Sequence, residues 1–291
     1  MNIQQELETE QLFFEADDGT QLAYYLWQRQ PPSKCSALVL ILHGIAFHGR
    51  PYKIVAQSVV VEGATFAALD IRGHGQSSGT SGELPFTPRM VQDINNWVEH
   101  LQATFIGVST FLIAESMSGP YSTLYTLDHP GSVDGLVLIA PATLPTWRQL
   151  VIGDSLNTLV SAITKPFAPS IHLTGERLRV GSNDDEFPGL RVRDTDAIQM
   201  VSPQYLLRIG EAIAWLMGRL SMTTATPVLI LHGGSDKILA PFGSRVLYHR
   251  IMSPDKNLMI LPGANHTLFW DQSSAAVYSI IGEWIQGRMT S

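Results

Sequence analysis

Short apolar runs rich in β-branched residues recur along the chain and alternate with longer segments whose apolar residues have helical spacing. This alternation is typical of a mainly parallel β-sheet covered by helices on both faces. The predicted strands are residues 37–42, 64–69, 110–114, 136–140, 227–231 and 258–261. The predicted helices are residues 52–62, 89–102, 117–127, 243–251 and 273–286. The pattern therefore predicts an α/β fold.

The first two apolar segments follow a different pattern. Residues 11–15 and 21–27 flank the tetrapeptide Asp17-Asp18-Gly19-Thr20, which is a turn signal. Two short strands joined by such a turn form an antiparallel hairpin. We therefore expect a hairpin at the edge of the sheet, followed by alternating strands and helices, and hence a mixed sheet.

The alternation lapses between Pro141 and Thr226, where several further prolines interrupt the pattern. One amphipathic helix is predicted inside this stretch, over residues 205–220, because its apolar residues recur at helical spacing. We therefore expect an α/β core made of residues 1–140 and 227–291, and a helical cap or lid formed by an insertion of residues 141–226. This stretch is called the insertion below.

The composition excludes several classes of protein. The chain has 291 residues, of which 45% are hydrophobic and 15% are charged, so it can bury a core and is neither disordered nor fibrous. Its 19 basic and 26 acidic residues give a net charge of -7, and neither sign forms a long block. A protein that binds the phosphate backbone of a nucleic acid carries a basic patch, and this sequence shows none, so we expect no nucleic-acid partner.

Cys35 is the only cysteine, which excludes an intramolecular disulfide and a cysteine-clustered metal site and fits a reducing compartment. The first residues lack the pattern of a secretory signal, and no stretch approaches the roughly 20 apolar residues that span a bilayer. We therefore expect a cytoplasmic protein without integral membrane association. The sequence leaves its oligomeric state open.

Ser116 lies in the segment Phe111-Leu-Ile-Ala-Glu-Ser-Met-Ser-Gly119, where a predicted strand runs into a predicted helix. A serine on a sharp strand-to-helix turn needs small residues two positions before and after it, since the backbone there presses against neighbouring elements. Ala114 and Ser118 meet this need, although glycine is usual at both positions. Taken alone, the segment also fits a buried strand followed by a capped helix.

Two further polar residues follow the carboxyl ends of later strands. Asp236 comes after the strand 227–231, and His266 comes after the strand 258–261. Open α/β sheets gather their sites at this edge, and the order Ser, Asp, His along the chain is that of an α/β-hydrolase. A serine hydroxyl needs an imidazole to take its proton and a buried carboxylate to orient that imidazole. Ser116, His266 and Asp236 supply all three groups.

The dipeptide His43-Gly44, directly after the strand 37–42, is a further candidate. In an α/β-hydrolase one oxyanion donor is the N–H that follows the nucleophile, and the other comes from this early loop. By position, these donors are the backbone N–H groups of Met117 and Ile45. Taken alone, the dipeptide indicates an ordinary turn.

These segments together resemble the serine-hydrolase branch that contains monoacylglycerol lipases and lysophospholipases, among the S33-like α/β-hydrolases. The segments that carry the resemblance are Leu42-His43-Gly44, Asp70-Ile-Arg-Gly-His-Gly-Gln-Ser-Ser-Gly79, Ala114-Glu-Ser-Met-Ser-Gly119, His232-Gly-Gly-Ser-Asp236 and Gly263-Ala-Asn-His266. The resemblance implies an α/β-hydrolase fold, a Ser116-Asp236-His266 triad, oxyanion donors at Ile45 and Met117, and a helical cap over an acyl pocket. His74 is expected to hold a loop beside the site and not to act as a base.

The resulting hypothesis is a carboxylesterase of the lipase type that cleaves esters of small or medium acyl chains through an acyl-enzyme. It needs no cofactor, and the histidine spacing predicts no metal site. Because these triad and oxyanion residues lie outside the insertion, we expect the insertion to select substrate and to take little part in bond breaking.

Other functions remain open on the same residues. The triad also supports cleavage of thioesters, amides or carbon-carbon bonds and acyl transfer to an alcohol. A slow-turnover receptor for small molecules could also keep it. A serine at position 116 disfavours the hydrolases that use an aspartate nucleophile, and an interaction protein would have no reason to keep the whole set.

Overall fold

An eight-stranded β-sheet forms the centre of the computed structural model, which describes residues 7–28, 31, 34–144, 164, 171–173, 179–219 and 224–289. Its strands are β1 (Glu10–Glu15), β2 (Gln21–Gln28), β3 (Ala37–Leu42), β4 (Ala64–Leu69), β5 (Ser109–Glu115), β6 (Gly135–Ile139), β9 (Val228–Gly233) and β10 (Lys256–Leu261). They lie in the order β1-β2-β4-β3-β5-β6-β9-β10. β2 pairs antiparallel with β1 and with β4, and the other pairs are parallel. The predicted mixed sheet with an edge hairpin is confirmed.

The described helices alternate with these strands. They are α1 (Lys53–Ser58), α2 (Thr87–Thr104), α3 (Ser118–Asp128), α4 (Phe187–Arg193), α5 (Pro203–Arg219), α6 (Pro241–Arg250) and α7 (Ser274–Gln286). The largest difference from prediction is at α1, which was expected to continue to residue 62. The chain is already extended at Val59, the first of three consecutive valines, because β-branched side chains crowd the preceding turn of a helix.

The sheet separates two apolar layers. Leu38 and Leu40 of β3 face a cluster that includes Trp97 of α2 and Leu124 of α3. Val39 and Ile41, on the opposite face of the same strand, face a cluster that includes residues of α1 and α7. Successive side chains of a strand point to opposite faces, so a strand that is apolar throughout needs a helical layer on each side. The predicted α/β fold class is confirmed.

The described part of the insertion lies outside the main sheet. β7 (Ile171–His172) and β8 (Met200–Val201) pair antiparallel with each other. The predicted helix is present as α5, and its buried Tyr205, Ala212 and Leu216 join the apolar cluster of α2 and α3. Position 220, the predicted end of this helix, lies outside the described residues, as do 145–163, 165–170, 174–178 and 221–223. The division into core and cap remains a prediction.

No helix in the described part of the chain combines the length and the apolar character that a membrane span requires.

Candidate active site

Ser116 occupies the sharp turn between β5 and α3. Its φ angle is +48°, a left-handed conformation that costs a residue with a side chain about 1 kcal/mol or more. Hydrogen bonds hold this conformation: its N–H donates to Ile139 O (2.8 Å), and its carbonyl accepts from Gly119 N (3.0 Å) and Ala142 N (2.8 Å). The strained backbone therefore presents the Ser116 hydroxyl at the end of β5.

The packing of this turn explains the need for small residues. A Cβ atom on Gly119 would lie 2.7 Å from the Cβ atom of Pro141, so only glycine fits there. The sequence reasoning placed the need at Ala114 and Ser118 and missed Gly119, although this glycine directly follows the predicted motif. Ser118 is buried, and its hydroxyl donates to His43 O at 2.6 Å. That bond joins α3 to the early loop.

We expect Ser118→Ala to lower the free energy of unfolding by about 1–3 kcal/mol, because it removes the donor to the buried carbonyl of His43. The Ser116 hydroxyl is untouched, so kcat is expected to stay within a few-fold of the parent value. Urea unfolding followed by an esterase assay measures both quantities. An inactive but folded variant would contradict this description of the turn.

The three predicted triad side chains form one chain of hydrogen bonds. His266 Nε2 lies 2.9 Å from Ser116 Oγ, and His266 Nδ1 lies 2.7 Å from Asp236 Oδ2. All three residues are buried, with 7–8% of their surface exposed. Since Nδ1 faces a carboxylate, it carries the hydrogen and Nε2 is left as the acceptor for the serine hydroxyl.

Asp236 is fully supplied with donors. Its Oδ1 accepts from Ile238 N (2.7 Å) and Leu239 N (2.9 Å), and His232 Nε2 lies 3.1 Å from its Oδ2. Burial alone would raise its pKa, but the positive charge that His266 can carry and the hydrogen bonds from His232 and His266 hold the pKa well below its ordinary value. Asp236 is therefore ionised. The support from His232 was missed, although His232 directly follows the predicted strand 227–231 and lies four positions before Asp236.

The ring of His266 is held in a mixed environment. Burial lowers its pKa, but the charge of Asp236 and the hydrogen bond to it outweigh burial and raise the pKa above the ordinary value, with a further contribution from Glu115. The backbone N–H of His266 donates to Gly181 O and to Asn265 Oδ1, both at 3.0 Å. These bonds fix the loop that carries the imidazole.

The early loop after β3 packs against the turn that carries Ser116. A Cβ atom on Gly44 would lie 3.5 Å from Glu115 Oε2, and the Gly44 N–H donates to the Tyr52 hydroxyl, which in turn donates to Glu115. The backbone N–H groups of Ile45 and Met117, the predicted oxyanion donors, have no acceptor among the described residues. Their role as oxyanion donors remains a prediction.

Two histidines beside the site are held neutral. His43 Nε2 accepts from Ile71 N (3.1 Å), so its Nδ1–H donates to Gly44 O (2.8 Å), and burial keeps its pKa well below the ordinary value. Burial lowers the pKa of His74 to about 4, and its Nδ1 lies 3.1 Å from Arg72 O. Neither ring has a hydrogen bond to Ser116 among the described residues. His43 joins the early loop to Ile71, and His74 joins its own loop to α5 through the Tyr205 hydroxyl.

One group of possible metal ligands lies apart from the triad. The ligand atoms of His48, Asp194 and Asp196 are all within 4.8 Å of one another. His48 Nε2 lies 2.8 Å from Asp194 Oδ2, and Asp196 Oδ1 accepts from Gln76 Nε2 (3.0 Å). Because each side chain already has a protein partner, we assign the group a structural role that joins the insertion to the core. The expected absence of a metal stays a prediction.

Comparison with known proteins identifies the family. The model of the family described as serine aminopeptidase, S33, matches residues 33–273. The chain belongs to this family. Membership confirms the resemblance inferred from the motifs and the predicted class, a serine hydrolase with an α/β-hydrolase fold.

The chain is similar to proteins from three different organisms. It is 26% identical to a monoacylglycerol lipase of Mycolicibacterium smegmatis, over 93% of this chain and 95% of the relative. It is 27% identical to the human monoglyceride lipase, over 93% of this chain and 88% of the relative. The structure of a soluble variant of monoglyceride lipase from Saccharomyces cerevisiae, in complex with a substrate analog, superposes with a TM-score of 0.83 at 19% identity, over 100% of this chain and 99% of that chain. This structural similarity shows that the two proteins share a fold.

Proposed function

We propose that this protein hydrolyses carboxylic esters through Ser116, His266 and Asp236. The proposal rests on the hydrogen bonds that run from Asp236 through His266 to Ser116. The left-handed backbone of Ser116 presents its hydroxyl to His266. The roles follow from the order of partners. An acceptor nitrogen faces the hydroxyl, and an ionised carboxylate faces the other nitrogen of the same ring.

In the first half-reaction, Ser116 Oγ attacks the carbonyl carbon of the ester while His266 Nε2 takes its proton. The tetrahedral oxyanion accepts hydrogen bonds from the N–H groups of Ile45 and Met117. Asp236 stabilises the imidazolium that forms. His266 then passes the proton to the leaving alcohol, and the acyl group remains on Ser116. A donor of this kind contributes about 3–4 kcal/mol in other enzymes.

In the second half-reaction, a water molecule replaces the alcohol. His266 takes a proton from the water as the oxygen attacks the acyl-enzyme, and returns it to Ser116 Oγ when the carboxylic acid leaves. Every proton is carried by His266, so the cycle requires no metal or redox cofactor.

We further propose that the substrate is an ester of a lipid-like acyl chain with a small alcohol, such as a monoacylglycerol. The bacterial and human relatives are named for that substrate, and the similarity to them extends over almost the whole chain. This similarity supports the assignment. The insertion is then the part of the chain that selects the acyl group.

A panel of substrates tests the proposal. It contains p-nitrophenyl esters of increasing chain length, a monoacylglycerol, a lysophospholipid, an acyl thioester and an acyl amide. We expect the highest kcat/KM for a monoacylglycerol or an ester of similar chain length. Faster turnover of the thioester or amide would contradict the ester assignment, and ligand binding without sustained hydrolysis would favour a receptor.

The proposed role of His266 also predicts the pH dependence. A protonated imidazole cannot accept the hydroxyl proton, so activity is lost as the pH falls through the pKa of His266. Because that pKa is raised, the acid limb of kcat/KM is expected to be centred above the ordinary histidine value of about 6.5. A pH profile on p-nitrophenyl acetate measures it, with circular dichroism to confirm that the fold persists. An acid limb below about pH 5 would contradict the assignment.

A further inference from the structure

The insertion holds the backbone of the proposed oxyanion loop directly. The Ala46 N–H donates to the Tyr205 hydroxyl (3.1 Å), and the Ala46 carbonyl accepts from Ile198 N (3.1 Å). The carbonyl of Ile45 accepts from the guanidinium of Arg191. Tyr205, Ile198 and Arg191 all belong to the insertion, whereas the loop belongs to the core. Three successive polar groups of the loop thus have partners more than 140 positions away.

The loop needs such support because its backbone is strained. Ala46 has a φ angle of +51°, which is unfavourable for any residue with a side chain. Conformations of this kind persist only when the surroundings over-determine them. The peptide bond between Ile45 and Ala46 contributes both the Ile45 carbonyl and the Ala46 N–H. Its direction is therefore set by Arg191 on one side and by Tyr205 on the other.

Tyr205 is well placed to fix this direction. Its side chain is completely buried, and its hydroxyl also lies 2.8 Å from His74 Nε2 and 3.1 Å from Met117 Sδ. His74 Nδ1 faces Arg72 O and carries the ring hydrogen, so Nε2 accepts and the hydroxyl donates. The hydroxyl thus accepts from Ala46 N, and its single hydrogen lies within reach of two acceptors, His74 Nε2 and Met117 Sδ. It contacts both segments that contain the proposed oxyanion donors.

Arg191 completes the arrangement. Its side chain is buried, its guanidinium lies over the ring of Phe47 at 5.2 Å, and the charge of Glu115 acts favourably on it. A buried cation of this kind is costly unless it is compensated and hydrogen-bonded. Its bond to the Ile45 carbonyl supplies part of that compensation and at the same time holds the loop.

We propose that Arg191 and Tyr205 are positioning residues for the oxyanion hole. The Ile45 N–H belongs to the preceding peptide, between Gly44 and Ile45, whose carbonyl accepts from His43 Nδ1. By holding the peptide between Ile45 and Ala46, Arg191 and Tyr205 fix the other side of the Ile45 Cα atom and so limit the rotation that would turn this N–H away. This inference rests on the proposed ester hydrolysis. It revises the expectation that the insertion takes little part in bond breaking, because the insertion then affects the chemical step through the loop as well as the choice of substrate.

The decisive variant is Tyr205→Phe, which removes only the hydroxyl. On p-nitrophenyl acetate, which is too short to need an acyl pocket, we expect kcat to fall about 10- to 100-fold, part of the loss seen when an oxyanion donor is removed. KM is expected to change less than about twofold, because the ground-state ester gains little from the oxyanion hole. The inhibition constant of a trifluoromethyl ketone, which forms a tetrahedral oxyanion on the serine, is expected to rise by the same factor as kcat falls. The acid limb of the pH profile should not move, because the contact between His266 and Asp236 is untouched.

Tyr121→Phe is the matched control. The Tyr121 hydroxyl also joins the core to α5, donating to Arg208 O at 2.9 Å, but among the described residues it has no hydrogen bond to the oxyanion loop. Its kcat and ketone inhibition constant are expected to stay within about twofold of the parent values. Equal losses in the two tyrosine variants would mean a general effect of loosening α5 and would overturn the inference.

Arg191→Met and Arg191→Lys give an independent comparison. Methionine removes the donor to the Ile45 carbonyl, whereas lysine keeps a charged donor at that position, so lysine should recover part of the kcat that methionine loses. Parent-like kcat and ketone affinity in both Tyr205→Phe and Arg191→Met would overturn the inference while leaving ester hydrolysis intact. A parent protein that neither hydrolyses esters nor binds the ketone would instead overturn the proposed function, and this inference with it.

Discussion

Ser116→Ala is expected to lower kcat for ester hydrolysis by about 10⁶-fold, the size of loss seen when the nucleophile of a serine-protease triad is removed. The physical reason is that no other group can form the acyl-enzyme at this turn. The variant should also lose labelling by a fluorophosphonate, which reacts with an activated serine. Mass spectrometry of the labelled parent protein should locate the label on the peptide that contains Ser116.

Two controls make this result specific. Ser118→Ala, two residues along the same turn, should keep the label, because the Ser118 hydroxyl donates to His43 O, whereas the Ser116 hydroxyl is the one that contacts His266 Nε2. Ser116→Ala combined with His266→Ala should be no slower than either variant alone, since the residues of a triad act as a unit. A label that survives on another serine would remove Ser116 from its proposed role.

Asp236→Asn is expected to keep the fold and to lower kcat by about 10⁴-fold. The asparagine oxygen can still accept from Ile238 N and Leu239 N, which leaves its NH₂ group facing His266. His266 then presents Nδ1 as an acceptor and carries its hydrogen on Nε2, the wrong tautomer for taking a proton from Ser116. The loss should appear in kcat for short and long esters alike.

The same variant has a second expected effect, on pH dependence. The charge of Asp236 outweighs burial and raises the pKa of His266, so without it burial prevails and the pKa falls. The acid limb of the residual activity should therefore shift to lower pH. An unshifted limb with near-parent kcat would transfer the orienting role to another carboxylate, for example Glu115.

Asp93→Asn serves as the control for this experiment. Asp93 is also a buried carboxylate, but it bonds Arg72 and Arg89 and contacts none of the triad residues. Its replacement should lower stability, because Arg72 and Arg89, which are partly buried, each lose an ionic partner. The parent kcat and acid limb should be kept in the folded variant.

The fold was largely predictable because its determinants are local. Each buried parallel strand is a continuous apolar run, and each helix shows its own periodicity, so β3 and β4 were predicted with their observed ends. The hydrogen-bond contacts among Ser116, His266 and Asp236 were predictable for a related reason. Parallel strands end at the same edge of a sheet, so polar residues after β5, β9 and β10 meet even though 150 positions separate Ser116 from His266.

The contacts around the triad could not be predicted in the same way. The close approach of Gly119 to Pro141 depends on a distance between elements, and the support of Asp236 by His232 depends on the course of the chain after β9. Periodicity contains neither. The end of α1 was predicted at residue 62 but lies at Ser58, since the β-branched valines that follow favour extended backbone.

In the insertion, some features could be predicted from the sequence and others depend on how the helices pack. Helical spacing was sufficient to predict α5, since an amphipathic helix is encoded by its own residues. It was not sufficient to assign Tyr205 a role, because the hydroxyl acquires partners only when α5 packs against α3 and against the loop at Ala46. Local periodicity and chain order were thus enough to predict the elements and the candidate chemical groups. The residues that hold the proposed oxyanion loop became evident only in the folded structure, because hydrogen bonds between distant segments form only after the elements have packed.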